Sequence, residues 1–197
     1  MKAIILLATL KKEGLSNTEV LCEFLVEFLQ KNNIDSEIVK LVNHNILPGT
    51  FTNMGQNDDW PKIFDKIKTS EIIIFASPIW WNHHSSELQK VIERLDEVHD
   101  EILAGKKSVL EGKVGGVVVT GDSDGAQSII ANVANFFSAI GIALPPMSTL
   151  TVIDELQAKS NQPTREELWK KYQKDYTETA QKMAINLKKF AKQKSSQ

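Results

Sequence analysis

The sequence predicts an α/β domain, a five-stranded parallel sheet in the order 2-1-3-4-5 lying between two layers of helices. Three observations carry this expectation. Uninterrupted apolar runs recur along the chain, as in Ile72-Ile73-Ile74-Phe75 and Val117-Val118-Val119. A strand with no polar side is buried on both faces, and that burial marks a parallel sheet. These runs alternate five times with segments whose apolar residues fall at helical spacing, and such alternation closes as a parallel sheet covered on both sides. Finally, 197 residues with 42% apolar content suit one domain with a sizeable core. Five strands rather than six favour the order 2-1-3-4-5 over the six-stranded dinucleotide-binding arrangement.

Each element has its own justification. Lys2–Ala8 is a buried first strand. Asn17–Asn32 is a helix, with Val20, Leu21, Phe24, Leu25, Phe28 and Leu29 on one stripe. Ser36–Val42 is the second strand, and Asn43–Asp59 a polar loop with Pro48, Gly49 and Gly55. A short helix over Trp60–Lys68 follows Asp58 and Asp59, either of which can cap it. Glu71–Ala76 is the third strand, Ser77–His84 a loop, Ser85–Val98 a helix and His99–Gly112 a charged irregular stretch. Lys113–Thr120 is the fourth strand and Gly121–Ser123 a tight loop. The helix over Asp124–Ile140 stops at Gly141. Ile142–Ile153 holds the last strand, interrupted by Pro145-Pro146, and one long helix runs from Pro163 or Thr164 to Lys192. One domain therefore spans 1–193, and 194–197 fray.

Composition narrows the function. Lys and Arg number 23 against 25 Asp and Glu, a formal net charge of −2. That balance gives no basis for binding nucleic acid or an anionic membrane. It also lacks the heavy acidity of a small electron carrier that docks on basic partners. The single Cys22 excludes an intrachain disulfide and multi-thiolate zinc, and fits a reducing cytoplasm. The apolar run Ala3–Ala8 is too short for a signal peptide, and nothing approaches the roughly 18 apolar residues of a membrane span.

In a sheet of this order, ligands bind beyond the carboxyl ends of the strands, where the order reverses. Three loops reach that edge. The first ends in Ser16-Asn17-Thr18 at a helix start, where unpaired N–H groups and uncharged side chains form a phosphate cup with Thr9. Ser16 and Glu19 also fit a capping box, whose returning carboxylate would compete with a phosphate. The second, Ser77-Pro78-Ile79-Trp80-Trp81-Asn82-His83-His84, places two tryptophans after a buried strand, a surface for a flat aromatic ligand or for packing on a helix or another subunit. No metal is expected at His83-His84, because adjacent histidines in an extended loop point opposite ways. In the third, Thr120-Gly121-Asp122-Ser123-Asp124-Gly125, two glycines allow close backbone approach to a ligand, and the acidic pair suits a neutral ring edge. Asp124 and Gln127 again fit a capping box. A phosphate, a planar ring and a polar ring edge together describe flavin mononucleotide.

These motifs resemble the NADPH-dependent FMN reductase-like branch of the flavodoxin superfamily. The resemblance rests on Thr9-Leu10-Lys11 and Ser16-Asn17-Thr18, on Ser77-Pro78-Ile79-Trp80-Trp81-Asn82 followed by Leu88-Gln89 and Ile92-Glu93-Arg94, and on Val119-Thr120-Gly121 with Ala139-Ile140-Gly141. It covers about Met1 to Pro146. It implies a flavodoxin-like three-layer sandwich and an FMN whose phosphate is held by Thr9, Ser16, Asn17 and Thr18, with Lys11 as charge partner. Pro78, Ile79, Trp80, Trp81 and Asn82 would line the isoalloxazine, and Thr120, Gly121, Asp124 and Gly125 would meet its polar edge. Ala8 stands where the family commonly has Gly, Lys11 where it has Arg, and Trp80 where it has Tyr.

The expected activity is hydride transfer from NADPH or NADH to bound FMN and on to a small acceptor such as a quinone or free flavin. The flavin carries the redox chemistry, so no catalytic side chain is named. The alternative is a non-enzymatic FMN-binding electron carrier or regulatory module. The resemblance further implies a homodimer or higher homo-oligomer, and Trp81 and the Ser85–Val98 helix are the candidates for its contact. P-loop, G-x-G-x-x-G and G-x-S-x-G motifs are absent.

Overall fold

The computed structural model describes residues 1–158 and 160–194. Five strands form one parallel sheet: β1 (Lys2–Leu7), β2 (Asp35–Lys40), β3 (Ile72–Pro78), β4 (Val114–Gly121) and β5 (Thr149–Ile153). Their order is β2-β1-β3-β4-β5, as the sequence predicts. Along β1 and β3 the side chains alternate between two cores. Ile5, Leu7 and Ile74 enter one, Ile4, Leu6, Ile73 and Phe75 the other. The first core is closed by α1 (Asn17–Lys31), α6 (Arg165–Asp175) and α7 (Thr177–Lys194), and the second by α2 (Trp60–Thr69), α3 (Ser86–Arg94), α4 (Asp96–Leu103) and α5 (Ala126–Ala139). Of the residues expected to fray, 195–197 lie outside the described residues and Lys194 ends α7.

Three elements differ from expectation. The helix over Ser85–Val98 is two helices, parted at Leu95, and the second continues through part of the stretch read as irregular. Its charges concealed Val98 and Ile102, four residues apart and both on the core. The long C-terminal helix is also two, parted at Tyr176, where φ falls to −124°. On one side of this break Trp169 and Tyr172 meet the ring of Phe24 at 5.6 and 5.9 Å. On the other, Ala180, Met183, Ala184 and Leu187 are buried in the same core. The last strand begins only at Thr149, because Pro145 and Pro146 cannot donate to a ladder, although Ala143 makes an isolated bridge to Val114.

The polar loop after β2 is fastened by one buried ion pair. Arg94 and Asp58 have fully buried side chains, with Nη2 and Oδ2 2.6 Å apart. Every guanidinium N–H is used. Nε donates to Phe51 O at 2.7 Å, Nη1 to Leu47 O and Asp58 Oδ1, and Nη2 to Thr52 O and Asp58 Oδ2. Asp58 also accepts the N–H groups of Met54, Trp60 and Leu47. The guanidinium lies 5.7 Å from the Trp60 ring centroid. Only an arginine supplies five donors in one plane, so this fork holds three loop carbonyls and a carboxylate at once.

Burial alone would raise the Asp58 pKa, but the Arg94 hydrogen bonds and the three N–H groups outweigh it, lowering the value from 3.8 to about 2. A carboxyl held below its unfolded value contributes stability that is complete above that value and is lost as pH falls through the folded one. Wild-type stability is therefore expected to drop as pH falls from 3.8 to about 2. Arg94→Ala, which strands a buried carboxylate, is expected to cost about 3–5 kcal/mol at neutral pH. Urea denaturation checks both, and a loss under about 1 kcal/mol in the variant would show that the pair does not hold the loop.

Candidate functional site

At the carboxyl edge of the sheet the first loop leaves β1 through Ala8 and Thr9 and enters α1 at Ser16. Thr9, Ser16 and Thr18 are buried, while Lys11 is exposed and Asn17 half-buried. Ser16 Oγ donates to Thr9 Oγ1 at 2.9 Å, and the Lys11 N–H bonds the same oxygen. Thr9 thus accepts twice and still has its own hydrogen to give. The N–H groups of Asn17 and Thr18 have no acceptor among the described residues. Lys11 Nζ reaches Leu15 O at 2.8 Å, closing the loop on itself.

The capping box at this helix is half formed. Ser16 Oγ accepts the Glu19 N–H at 3.3 Å, but Glu19 Oε2 turns to Lys40 Nζ at 2.8 Å. The cup is therefore lined by hydroxyls and N–H groups with no carboxylate returning over it. Unused buried donors, an uncharged lining and a helix N-terminus fit a phosphate.

The second loop is joined to the first by Ser85, which Ser77 holds in place. Ser85 Oγ donates to Ala8 O at 2.6 Å and accepts from Leu88 N–H as the N-cap of α3, and Ser77 Oγ accepts from Ser85 N–H. Beyond Ile79 the chain reverses in a two-residue turn. Trp80 and His83 exchange both backbone hydrogen bonds at 2.8 Å, while Trp81 and Asn82 have φ of 49° and 64°. Positive φ at both central positions defines a type I′ turn, which favours Asn or Gly and disfavours Trp. Trp81 lies at the tip, 93% exposed. Trp80 is half-buried, so the two indoles do not form one platform.

The third loop packs on the second. Ile79 N–H donates to Thr120 O at 2.9 Å. A methyl group at Gly121 would fall 2.6 Å from Ile79 Cδ1, and one at Gly125, where φ is +131°, 2.8 Å from Asn82 Cα. The close approach that these glycines permit is thus taken up by the second loop. The Asp124–Gln127 capping box does not form, because Gly125 occupies the N-cap position and leaves exposed Asp124 outside the helix. Thr120 and Thr18 have their hydroxyls 2.6 Å apart and buried, linking the third loop to the first. One hydroxyl hydrogen of that pair remains to be donated elsewhere.

The structure thus brings Thr9, Ser16, Asn17 and Thr18 together with Thr120, and Ile79, Asn82, Gly121 and Gly125 into a second cluster. Lys11, Trp81 and Asp124 stand on the exposed rim. Several contributors were not apparent in the sequence. Ser85 bonds across to Ala8, Lys40 comes from the edge strand, and Tyr172 donates to Asn17 O at 3.3 Å from α6. Burial raises the Tyr172 pKa, keeping that hydroxyl protonated. Cys22 is fully buried and its pKa is likewise raised by burial, which leaves it an unreactive thiol. Beside these loops, between α3 and α5, lies a groove of about 560 Å³ that includes His84, Gln89, Ile92, His99, Asn132 and Phe136.

Comparison with known proteins bears on the family and the fold. Residues 1–157 match the family model of NADPH-dependent FMN reductase. A 30% identical relative over 157 residues is the 8-demethyl-8-aminoriboflavin-5'-phosphate synthase of Streptomyces davaonensis, an alignment covering 74% of this chain and 61% of that protein. The chain spans only 23% of the length of another curated relative. Among solved structures, RosB with bound 8-demethyl-8-formylriboflavin-5'-phosphate superposes with a TM-score of 0.80 at 21% identity, covering 100% of this chain and 81% of that one. An archaeal flavodoxin superposes at 0.57 and 16% identity, covering 98% and 99%. The fold is flavodoxin-like.

Gly125→Ala is expected to displace the second loop, because the added methyl meets Asn82 backbone at an unfavourable φ. The cost is about 1–3 kcal/mol, read as a fall in thermal midpoint, and an unchanged midpoint would show that the two loops are not closely packed.

Proposed function

Because the chain belongs to the family of NADPH-dependent FMN reductases, we propose that it holds FMN across the three loops and serves transfer of a hydride from NADPH or NADH to a small acceptor such as a quinone or free flavin. The observation that carries this reading is the first loop, a cup of unused donors with no carboxylate over it, joined through Thr18 and Thr120 to the third loop.

In this reading Thr9, Ser16, Asn17 and Thr18 bind the phosphate through hydroxyl, amide and backbone donors, with Lys11 at the rim. Pro78, Ile79, Trp80, Trp81 and Asn82 bound the ring on one side, and Thr120 and Asp124 meet its polar edge, while Gly121 and Gly125 let the second loop seat closely on the third. FMN held there would supply two-electron redox chemistry between the nicotinamide and the acceptor. The protein's part would be to hold and orient the ring. A second reading, in which the flavin is itself the substrate, is favoured by the two relatives whose names carry an 8-substituted riboflavin phosphate.

The test is the absorbance spectrum after FMN loading and desalting, then after anaerobic NADPH or NADH. The expected result is retained flavin bands that bleach with nicotinamide. Retained bands without bleaching would favour a carrier or regulatory module. Recovery of a chemically altered flavin would favour the second reading. No retained flavin would remove the proposal.

The assembly is proposed to be a homodimer, formed where Trp81 and α3 meet the same elements of a second copy. An indole held out at a left-handed φ beside a groove of about 560 Å³ suits a two-fold contact in which each copy fills the other's groove. Sedimentation is expected to show a dimer for the wild type and a shift toward monomer for Trp81→Ser. A monomeric wild type, or an unaffected variant dimer, would exclude that contact.

A further inference from the structure

Among the described residues, two helices open with a hydroxyl residue and a glutamate three positions later. At α6 the box closes. Thr164 Oγ1 accepts the Glu167 N–H, and Glu167 Oε2 returns to Thr164 N–H at 2.7 Å and to Thr164 Oγ1 at 2.9 Å. At α1 the spacing and the glutamate are the same, yet only the first half forms. Glu19 lies instead against Lys40, with Nζ and Oε2 2.8 Å apart, the lysine side chain 15% and the glutamate 28% exposed. Lys40 is the last residue of β2 and pairs in register with Leu7, the last residue of β1, so it stands at the edge from which the first loop departs.

We propose that Lys40 is a positioning residue of the cup, acting through Glu19: it draws the carboxylate aside so that the helix N-terminus remains open to a ligand phosphate. The inference rests on the phosphate placement proposed above. Without the lysine, Glu19 has the reach and spacing to fold back as Glu167 does. It would then occupy the Ser16 N–H and set a negative charge beside the phosphate, where the partial positive charge of the helix would otherwise serve the ligand. Burial supports the assignment, since a largely buried pair is fixed in geometry more firmly than an exposed one.

The test compares binding of FMN and of riboflavin, which lacks the phosphate, in the wild type, Lys40→Met, Glu19→Gln and the double variant, with Lys40→Arg as the conservative control. Lys40→Met is expected to weaken FMN about tenfold and to leave riboflavin within about twofold. Glu19→Gln should bind FMN at least as tightly as the wild type. The double variant should regain wild-type affinity and Lys40→Arg should retain it. Wild-type affinity for FMN in Lys40→Met would overturn the proposal. So would a double variant as weak as Lys40→Met, which would make the lysine's own charge or a folding defect the cause. A wild type that binds riboflavin as tightly as FMN would instead remove the underlying phosphate placement.

Discussion

Strands β1, β3 and β4 bury every side chain between Ala3 and Thr9, Ile72 and Ser77, and Val114 and Thr120, and strands with no solvent face are held only by helices laid over both sides. Each strand must then return through a crossover, so every strand ends at the same edge of the sheet and every loop that follows a strand is delivered there. The candidate site is a by-product of that constraint. Its first loop leaves β1, its second β3 and its third β4, and the register between those strands decides which residues face one another across it.

Register alone does not finish the site. The loops are locked by polar contacts that a buried edge cannot leave unmade. Ser85 bridges to Ala8, Ser77 to Ser85, Ile79 to Thr120 and Thr18 to Thr120. Arg94 is committed to Asp58 and the loop after β2. Lys40 is likewise committed to Glu19. The cup is left with neutral donors, which suits selection of a phosphate by geometry more than by net charge.

Much of this was legible in the sequence because it depends on local pattern. Apolar runs revealed buried strands, Ser16 announced a helix start, and Ser77-Pro78-Ile79-Trp80-Trp81-Asn82 marked the second loop. What was hidden depends on partners distant in the chain. Nothing near Glu19 shows that a lysine on the edge strand will take its carboxylate. The glycines at 121 and 125 read as room for a ligand because Ile79 and Asn82, more than 35 residues earlier, are not adjacent in sequence. Asp124 and Gln127 satisfy the capping spacing, yet the chain enters α5 one residue later. The breaks at Leu95 and Tyr176 are likewise absent from the local apolar pattern, which continues across both into the cores.

The bond from Tyr172 to the carbonyl of Asn17 spans 155 residues, and the hydroxyl pair of Thr18 and Thr120 spans 102. Contacts of such separation form only once the intervening chain exists and has been ordered. During synthesis the N-terminal loop leaves the ribosome early, but the fourth strand that braces it emerges later and the helix carrying Tyr172 later still. The cup is therefore fully braced only when the chain through α6 is present, and a nascent fragment ending before α6 lacks one of its braces.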